Sequence, residues 1–354
     1  GVSCEACHGR STAWQGPHQD WKRWHPLPES EWLDKGMYDT RNVMRTAQKC
    51  LECHMGSPGR IVTHTMMGAG HPELTLELVS DLEQVPRHWE FGNSTLWPDE
   101  GPWYYARLWS VGQAVALYES MQGVLRWVDD ESQPTPDFAL FDCFACHHEF
   151  LRTPSRDIAR PRLPGVPPGE TPWNAAPWAT CRSLVSVLAP EDRAAADSAA
   201  EKLLRSLRIT RPDRPAVKQA ATELARIADR LATKAYRQRF DLDLTRRLLR
   251  EVAGDHAFHV AVGPRGAEQG FGALNALYRR AWGETESRPE AHAELVKAIG
   301  ELEQVMFAPK GGPRSGEESM REPDRVPQLD GRPFDFDAAR YQAAMKRVHA
   351  LLGD

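Results

Sequence analysis

The sequence predicts a mainly α-helical protein in two parts, a loop-rich N-terminal domain followed by a C-terminal helical bundle. Three observations carry this reading. At 354 residues the chain has length for about two domains and a sizeable core. Nine of its thirteen histidines and eleven of its twelve tryptophans fall before residue 181. Beyond that point apolar residues recur at the three-and-four spacing of amphipathic helices.

In the first part, Gly16-Pro17, Pro26-Leu27-Pro28, Ser57-Pro58-Gly59 and Gly68-Ala69-Gly70 break regular structure. One long helix stands out. Pro102 suits a first-turn position, and Tyr104, Leu108, Val111, Val115, Tyr118 and Leu125 then repeat at helical spacing as far as Val128. From Pro161 to Pro177 the chain is rich in proline and glycine, as expected of a linker or an extended wrapping segment. Val217, Ala220, Leu224, Ile227 and Leu231 then mark a helix, and Leu244, Leu248 and Val252 mark a shorter one. Phe271, Leu274, Tyr278 and Ala281 form a third face, Leu295, Ile299, Leu302 and Met306 a fourth, and Tyr341, Met345, Val348 and Leu352 close the chain. Pro309 to Pro333 is polar and rich in Gly, Pro and charge, and reads as a surface excursion. The expected boundaries are therefore 1–160, a linker at 161–180, and a helical domain at 181–354.

Six of the seven cysteines lie in three copies of Cys-x-x-Cys-His: Cys4, Cys7 and His8; Cys50, Cys53 and His54; Cys143, Cys146 and His147. The chain's own cysteine and histidine frequencies would give on the order of 0.005 such pentads by chance. Each reads as a c-type haem attachment site. Two thiols three residues apart can form thioethers to the two vinyl groups of one porphyrin, and the next residue brings an imidazole beneath the iron. The expected cofactor is three covalently attached haem c groups, and the first part becomes a multihaem cytochrome c domain. Haems replace much of a side-chain core, so long loops are tolerated there, and tryptophan packs well against porphyrin. Structural zinc and a redox dithiol also use Cys-x-x-Cys. Neither explains a histidine in the same place three times, and zinc ribbons space their pairs more closely, at roughly 15 to 20 residues.

No apolar run approaches the roughly 18 residues a membrane helix needs, so no transmembrane segment is expected. Haem attachment at such motifs implies a periplasmic or extracellular protein. Gly1 precedes the first haem cysteine by three residues, as expected of a processed or truncated chain. Up to Thr180 the net charge is −8, and beyond it +3. An acidic haem half would steer a basic partner, although a solvated acidic face explains it more simply. The same applies to the arginine-rich face around Arg226, Arg230, Arg246 and Arg247. Nucleic acid is a poor fit. Cys181 has no cysteine left to pair with.

His8, His54 and His147 are the proximal metal ligands on this reading, and the sixth iron position decides function: a second histidine suits electron transfer, a methionine raises the potential, and an open position admits substrate. The haem half offers His18, His25, His64, His71, His88 and His148 besides. An isolated histidine more often bonds a propionate or sits on the surface, but these are concentrated with the motifs. His148 directly follows His147, so it would point toward a neighbouring haem. In His64-Thr65-Met66-Met67-Gly68-Ala69-Gly70-His71 the small residues permit close approach of backbone to porphyrin. Met55, Met66 and Met67 are rival ligands better suited to packing.

These residues resemble the multihaem c-type cytochromes related to the tetrahaem cytochrome c of nitrifying bacteria, in a branch with a helical tail. The resemblance rests on Gly1 to Gly9 with Trp14 and His18; on Cys50 to His54 with His64, Gly68 to Leu74 and Pro86-Arg87-His88-Trp89; and on Phe141 to Glu149. It covers residues 1 to about 180, and the tail matches only in character. It implies closely stacked, mostly bis-histidine haems, with His18, His64, His71, His88 and His148 as distal-ligand or near-haem candidates. Family members commonly carry a further haem motif upstream of the first one here. The expected function is single-electron transfer between redox partner proteins, such as other cytochromes. The rivals are an electron-relay subunit of a larger redox assembly, and a haem enzyme with one open iron acting on a small nitrogen species such as hydroxylamine, nitric oxide or nitrite.

Overall fold

The computed structural model describes residues 3–71, 73–85, 101, 103–147, 163, 165–166, 170–285, 290–307 and 336–353. His88 and His148 lie outside these residues, as do Pro102, most of the Pro309–Pro333 excursion's neighbourhood and all of that excursion itself, and parts of the segment 161–180. Among the described residues the chain is helical with no β-strand, its only extended pairings being the bridges Ser57 to Arg60 and Phe141 to Trp173.

The first part contains α1 (Cys4–His8), α2 (Trp21–Trp24), α3 (Glu29–Asp34), α4 (Val43–His54), α5 (His64–Gly68) and α6 (Leu78–Gln84), then the long α7 (Trp103–Asp129) and the short α8 (Cys143–His147). The second contains α9 (Ala176–Leu188), α10 (Arg193–Ser206), α11 (Arg214–Arg237), α12 (Leu242–Gly254), α13 (His256–Val262), α14 (Pro264–Leu274), α15 (His292–Phe307) and α16 (Ala338–Leu351). The helices expected at Tyr104 to Val128 and at Val217 to Leu231 are α7 and α11. Those expected from Leu244, Leu295 and Tyr341 are α12, α15 and α16.

Helix α7 is the axis of the molecule. It is 27 residues long, about 40 Å at the helical rise. Every residue from Leu108 to Leu117 is buried, so it has no solvent face over that stretch and must be enclosed on all sides. Helix α11 runs along it, presenting Val217, Ala220, Leu224, Ile227 and Leu231. Helices α4, α6 and α9 pack on its other faces. One apolar core therefore runs from Val43 to Leu352 through both parts of the chain. A separate tryptophan core of Trp14, Trp24 and Trp32 supports the first loops, with Trp24 and Trp32 stacked 6.2 Å apart and Arg41 over the Trp32 ring.

Two local features differ from expectation. The segment 161–180 is not a bare linker: Leu163, Trp173 and Trp178 are buried, and α9 starts at Ala176 inside it. Proline and glycine punctuate that stretch, but the large apolar side chains between them still need burial. The face Phe271, Leu274, Tyr278 and Ala281 is not one α-helix either, because α14 passes at Asn275 into a single π-helical stretch, Asn275–Arg279. No helix of the described residues is long and apolar enough to cross a membrane.

Candidate functional site

Each Cys-x-x-Cys-His motif forms a helical turn: α1, the last turns of α4, and α8. Helical spacing puts the two cysteines, three residues apart, on one face, and the histidine four residues beyond the first cysteine on the same side. Each turn is fixed by different local chemistry. After α1 the chain turns at Gly9, with φ at 77° and its N–H donated to the Glu5 carbonyl at 3.0 Å. A Cβ there would collide with the Gly36 carbonyl oxygen, so glycine is needed both for the left-handed φ and for the close approach. Tyr38 N–H donates to the His8 carbonyl at 2.8 Å, holding the loop on the turn.

The second motif is carried by a longer helix. Asn42 caps α4, its Oδ1 accepting from the N–H groups of Met44 and Arg45 at 3.0 and 3.2 Å, and Val43, Ala47 and Leu51 bury the opposite face. The third motif is held from both sides. Asp142 N–H donates to the Pro172 carbonyl at 3.0 Å and Asp142 Oδ1 accepts from Phe144 N–H at 3.1 Å.

All six motif cysteines are free thiols, with Cys4, Cys7 and Cys53 exposed and Cys50, Cys143 and Cys146 part-buried. Burial pushes the Cys50 thiol up to about 12, with Cys7 contributing next, so the first and second motifs are neighbours. Burial, then the Asp142 carboxylate, pushes Cys143 up to about 11. A redox dithiol works through a lowered thiol pKa, the opposite shift. Arg60 Nη1 donates to Cys53 Sγ at 3.1 Å, and Cys146 Sγ lies 3.2 Å from Thr171 Oγ1.

Two imidazoles flank one indole. The Trp14 ring meets His8 edge-on at 6.4 Å and His18 at 5.2 Å. His18 Nδ1 lies 2.6 Å from the Gln15 carbonyl and 3.1 Å from that of Trp14, and His8 Nδ1 lies 3.4 Å from Thr40 Oγ1. Donation from His18 Nδ1 to these carbonyls fixes the tautomer that leaves its Nε2 unprotonated. Trp14 is 5% exposed, yet its Nε1 has no hydrogen-bond partner among the described residues.

His54 is exposed; burial raises the Asp81 carboxyl of α6, and the hydrogen bond from Glu77 N–H and the nearby His54 work against that rise. His64 starts α5, its N–H donated to Asp137 Oδ1 at 2.9 Å and its ring edge-on to Phe138 at 5.4 Å. It therefore stands beside the approach to the third motif. His71 follows Gly70, whose φ is 103°, and is exposed. His147 ends α8. Of the rival methionines, Met55 is buried in the main core, Met67 packs on Val62, Leu74 and Ala139, and Met66 is exposed. A cleft of about 140 Å³ separates the exit of the second motif from the approach to the third, between Met55, Thr63, Arg126, Trp127, Asp137 and Trp173.

The structure thus groups His8 with His18, Cys7 with Cys50, and His64 with the lead-in to Cys143. Among the described residues no three His, Cys, Asp or Glu side chains converge as ligands of one metal ion would. Sequence reasoning missed Thr40, Asp81 and Asp137, single polar residues in loops or helix starts that belong to no motif. No family model, curated protein or solved structure matches the chain.

Proposed function

We propose that the chain is a periplasmic or extracellular three-haem c-type cytochrome that carries single electrons between redox partner proteins. The observation that carries the reading is the set of three helical Cys-x-x-Cys-His turns, each with two unpaired thiols on one face and a histidine one residue on. The residues fit the group. The thiols match the two thioether bonds of haem c, the donor set of each turn is complete without borrowing from another, and the buried, unpartnered Trp14 Nε1 offers a donor beside the first turn. Bound there, haem supplies a one-electron iron couple whose potential follows the axial ligands.

The chain's own part is attachment, orientation and insulation. Cys4 and Cys7, Cys50 and Cys53, and Cys143 and Cys146 attach the groups. His8, His54 and His147 are the proximal ligands, and His18, His64, His71, His88 and His148 are the distal candidates. Thr40 orients His8 through Nδ1, and the Gln15 carbonyl does the same for His18. The likeness to the cytochromes related to the tetrahaem protein of nitrifying bacteria supports the same reading.

A pyridine haemochrome count, with low-temperature electron paramagnetic resonance of the oxidised protein, tests it. Three haems per chain with low-spin signals are expected. A chain matured in a haem-attaching host that carries none sinks the proposal, and a high-spin signal from about one iron in three, altered by nitric oxide, would favour an enzyme.

A further inference from the structure

The last turn of α7 brings a cation without a counter-ion up to the second motif. Arg126 is part-buried, and its Nη2 donates to the Gly56 carbonyl at 3.0 Å. Gly56 is two residues past His54, so its Cα lies at most about 7.6 Å from that of the histidine. Among the described residues Arg126 forms an ion pair with no carboxylate; the charge of Glu119, two turns back on α7, reaches it without a pair forming. The other cations around this motif are engaged. Arg45 pairs with Glu29 at 2.8 Å and Lys49 with Glu52 at 3.2 Å, while Arg60 pairs with Glu52 at 3.3 Å and contacts Cys53 Sγ.

Arg126 lines the cleft of about 140 Å³ between the second and third motifs. That volume holds a few waters or a short acid arm, and is well under the roughly 300 Å³ of sites that enclose a whole small molecule. Trp127 lines it too and is 5% exposed, with a buried Nε1 that has no partner among the described residues. The two carboxylates in the wall are turned to donors of their own. Asp137 Oδ1 accepts from the N–H groups of His64 and Ala139 at 2.9 and 2.8 Å, and Asp130 accepts from Ser132 and Gln133. At the margin, Ile61 is 56% exposed, and Phe138, between the lining residues Asp137 and Ala139, is 50% exposed. Apolar side chains left open around a small polar cleft suit a flat apolar ligand that carries an acid on a short arm.

We infer that Arg126 binds a carboxylate in this cleft, and that the carboxylate is a propionate arm of the haem carried by the second motif. A porphyrin bears its propionates on the edge opposite its two vinyl groups, so Cys50 and Cys53 hold one edge and Arg126 answers the other. The guanidinium is a planar fork of donors matched to a carboxylate, and its bond to Gly56 fixes that fork against the segment that follows His54. A free small anion presents the same chemistry to Arg126 and is the rival occupant.

This inference rests on the haem reading, and its test separates the two. Midpoint potentials of the haem-loaded protein are compared in wild type, Arg126→Gln and Arg214→Gln. Glutamine keeps a donor for Gly56 but removes the charge. Arg126→Gln should lower one of the three potentials, shifting that haem's reduction equilibrium about tenfold, the scale of a unit charge at roughly 10 Å in a partly buried setting. The haem that moves should be the one lost in the Cys50→Ala, Cys53→Ala double variant. Arg214, whose guanidinium lies over Trp127 and donates to the carbonyls of Val128, Asp130 and Gln133, is a nearby cation outside the cleft lining, and Arg214→Gln should leave that potential in place. Sodium acetate, added against sodium chloride at equal ionic strength, should not move the wild-type potentials. Three unmoved potentials in Arg126→Gln, or a shift in a haem of another motif, overturn the inference alone. A saturable acetate response gives the site to a free anion and overturns the propionate; this titration needs only the wild type, so it decides even if Arg126→Gln does not fold. Absence of haem from the second motif overturns the electron-transfer reading and this one with it.

Discussion

Asn42 Nδ2 donates to the Tyr236 hydroxyl at 2.8 Å, joining the cap of α4 to the last turn of α11 across 194 residues of sequence. One amide group thus serves two purposes, since its oxygen caps the helix that presents Cys50, Cys53 and His54. Asn42→Ala should cost about 1 to 2 kcal/mol from the cap and the lost bond together. Tyr236→Phe should cost about 1 kcal/mol or less, because the cap survives. Denaturant midpoints of the two variants check the order; equal losses would mean that the cap contributes nothing.

Gly9 should be indispensable to the first Cys-x-x-Cys-His turn and so to the haem proposed there. An alanine there would meet both a left-handed φ and the Gly36 carbonyl, so the turn carrying His8 would have to move. Gly9→Ala is expected to yield about two haems rather than three by haemochrome, with the other two spectra intact. Gly16→Ala, where a Cβ has open space, is the matched control.

In the bundle, Gly270 gives His259 and Tyr341 their place. His259 Nδ1 lies 3.0 Å from the Tyr341 hydroxyl, and a Cβ on residue 270 would reach within 2.6 Å of that nitrogen and strike the hydroxyl. Gly270→Ala should destabilise by about 1 to 3 kcal/mol through overpacking. Thermal unfolding reads the loss, and an unchanged midpoint would show that the pair can shift aside.

His259 and Glu77 should give stability opposite pH dependences. Burial, helped by His256 and Arg182, holds His259 neutral and pushes it down to about 3. The unfolded chain therefore binds more protons below the ordinary value of about 6.5, and this contribution, complete above that pH, is lost as pH falls toward 3. Glu77, raised to about 7, contributes fully below its ordinary value of about 4.5 and loses that contribution as pH rises through 7. The two slopes oppose each other from about pH 4.5 to 6.5. Urea titrations of Glu77→Gln should therefore show greater relative stability at neutral pH than at pH 4, and a His259→Gln protein should lose the acid-side decline.

The long helices were legible because their cores are built from large apolar residues at strict spacing, as in α7 and α11. Helix α10 was not, since its buried face is largely Ala196, Ala199 and Ala200, and alanine gives a weak amphipathic signal. The end of α14 at Asn275 was missed because Tyr278 and Ala281 continue the apolar pattern through a change of helical pitch. At the candidate site the motif cysteines and His8, His54 and His147 declare themselves by spacing alone. Their distant polar neighbours do not: Thr40 lies against His8 across 32 residues, and Asp137 accepts from the backbone N–H of His64 across 73, and such partners carry no local signature.

The position of α7 also constrains the order of assembly. Its longest packing partner, α11, begins 85 residues after α7 ends, so during synthesis the apolar surface of α7 emerges well before the helix that covers it. Throughout that delay the first two motifs lack the packing that the completed α7 and α11 pair gives α4. If the motifs are haem sites as proposed, the interval in which the bundle is incomplete is the one in which an attachment enzyme would have freest access to the first two, and hastening the closure of α11 onto α7 would shorten it.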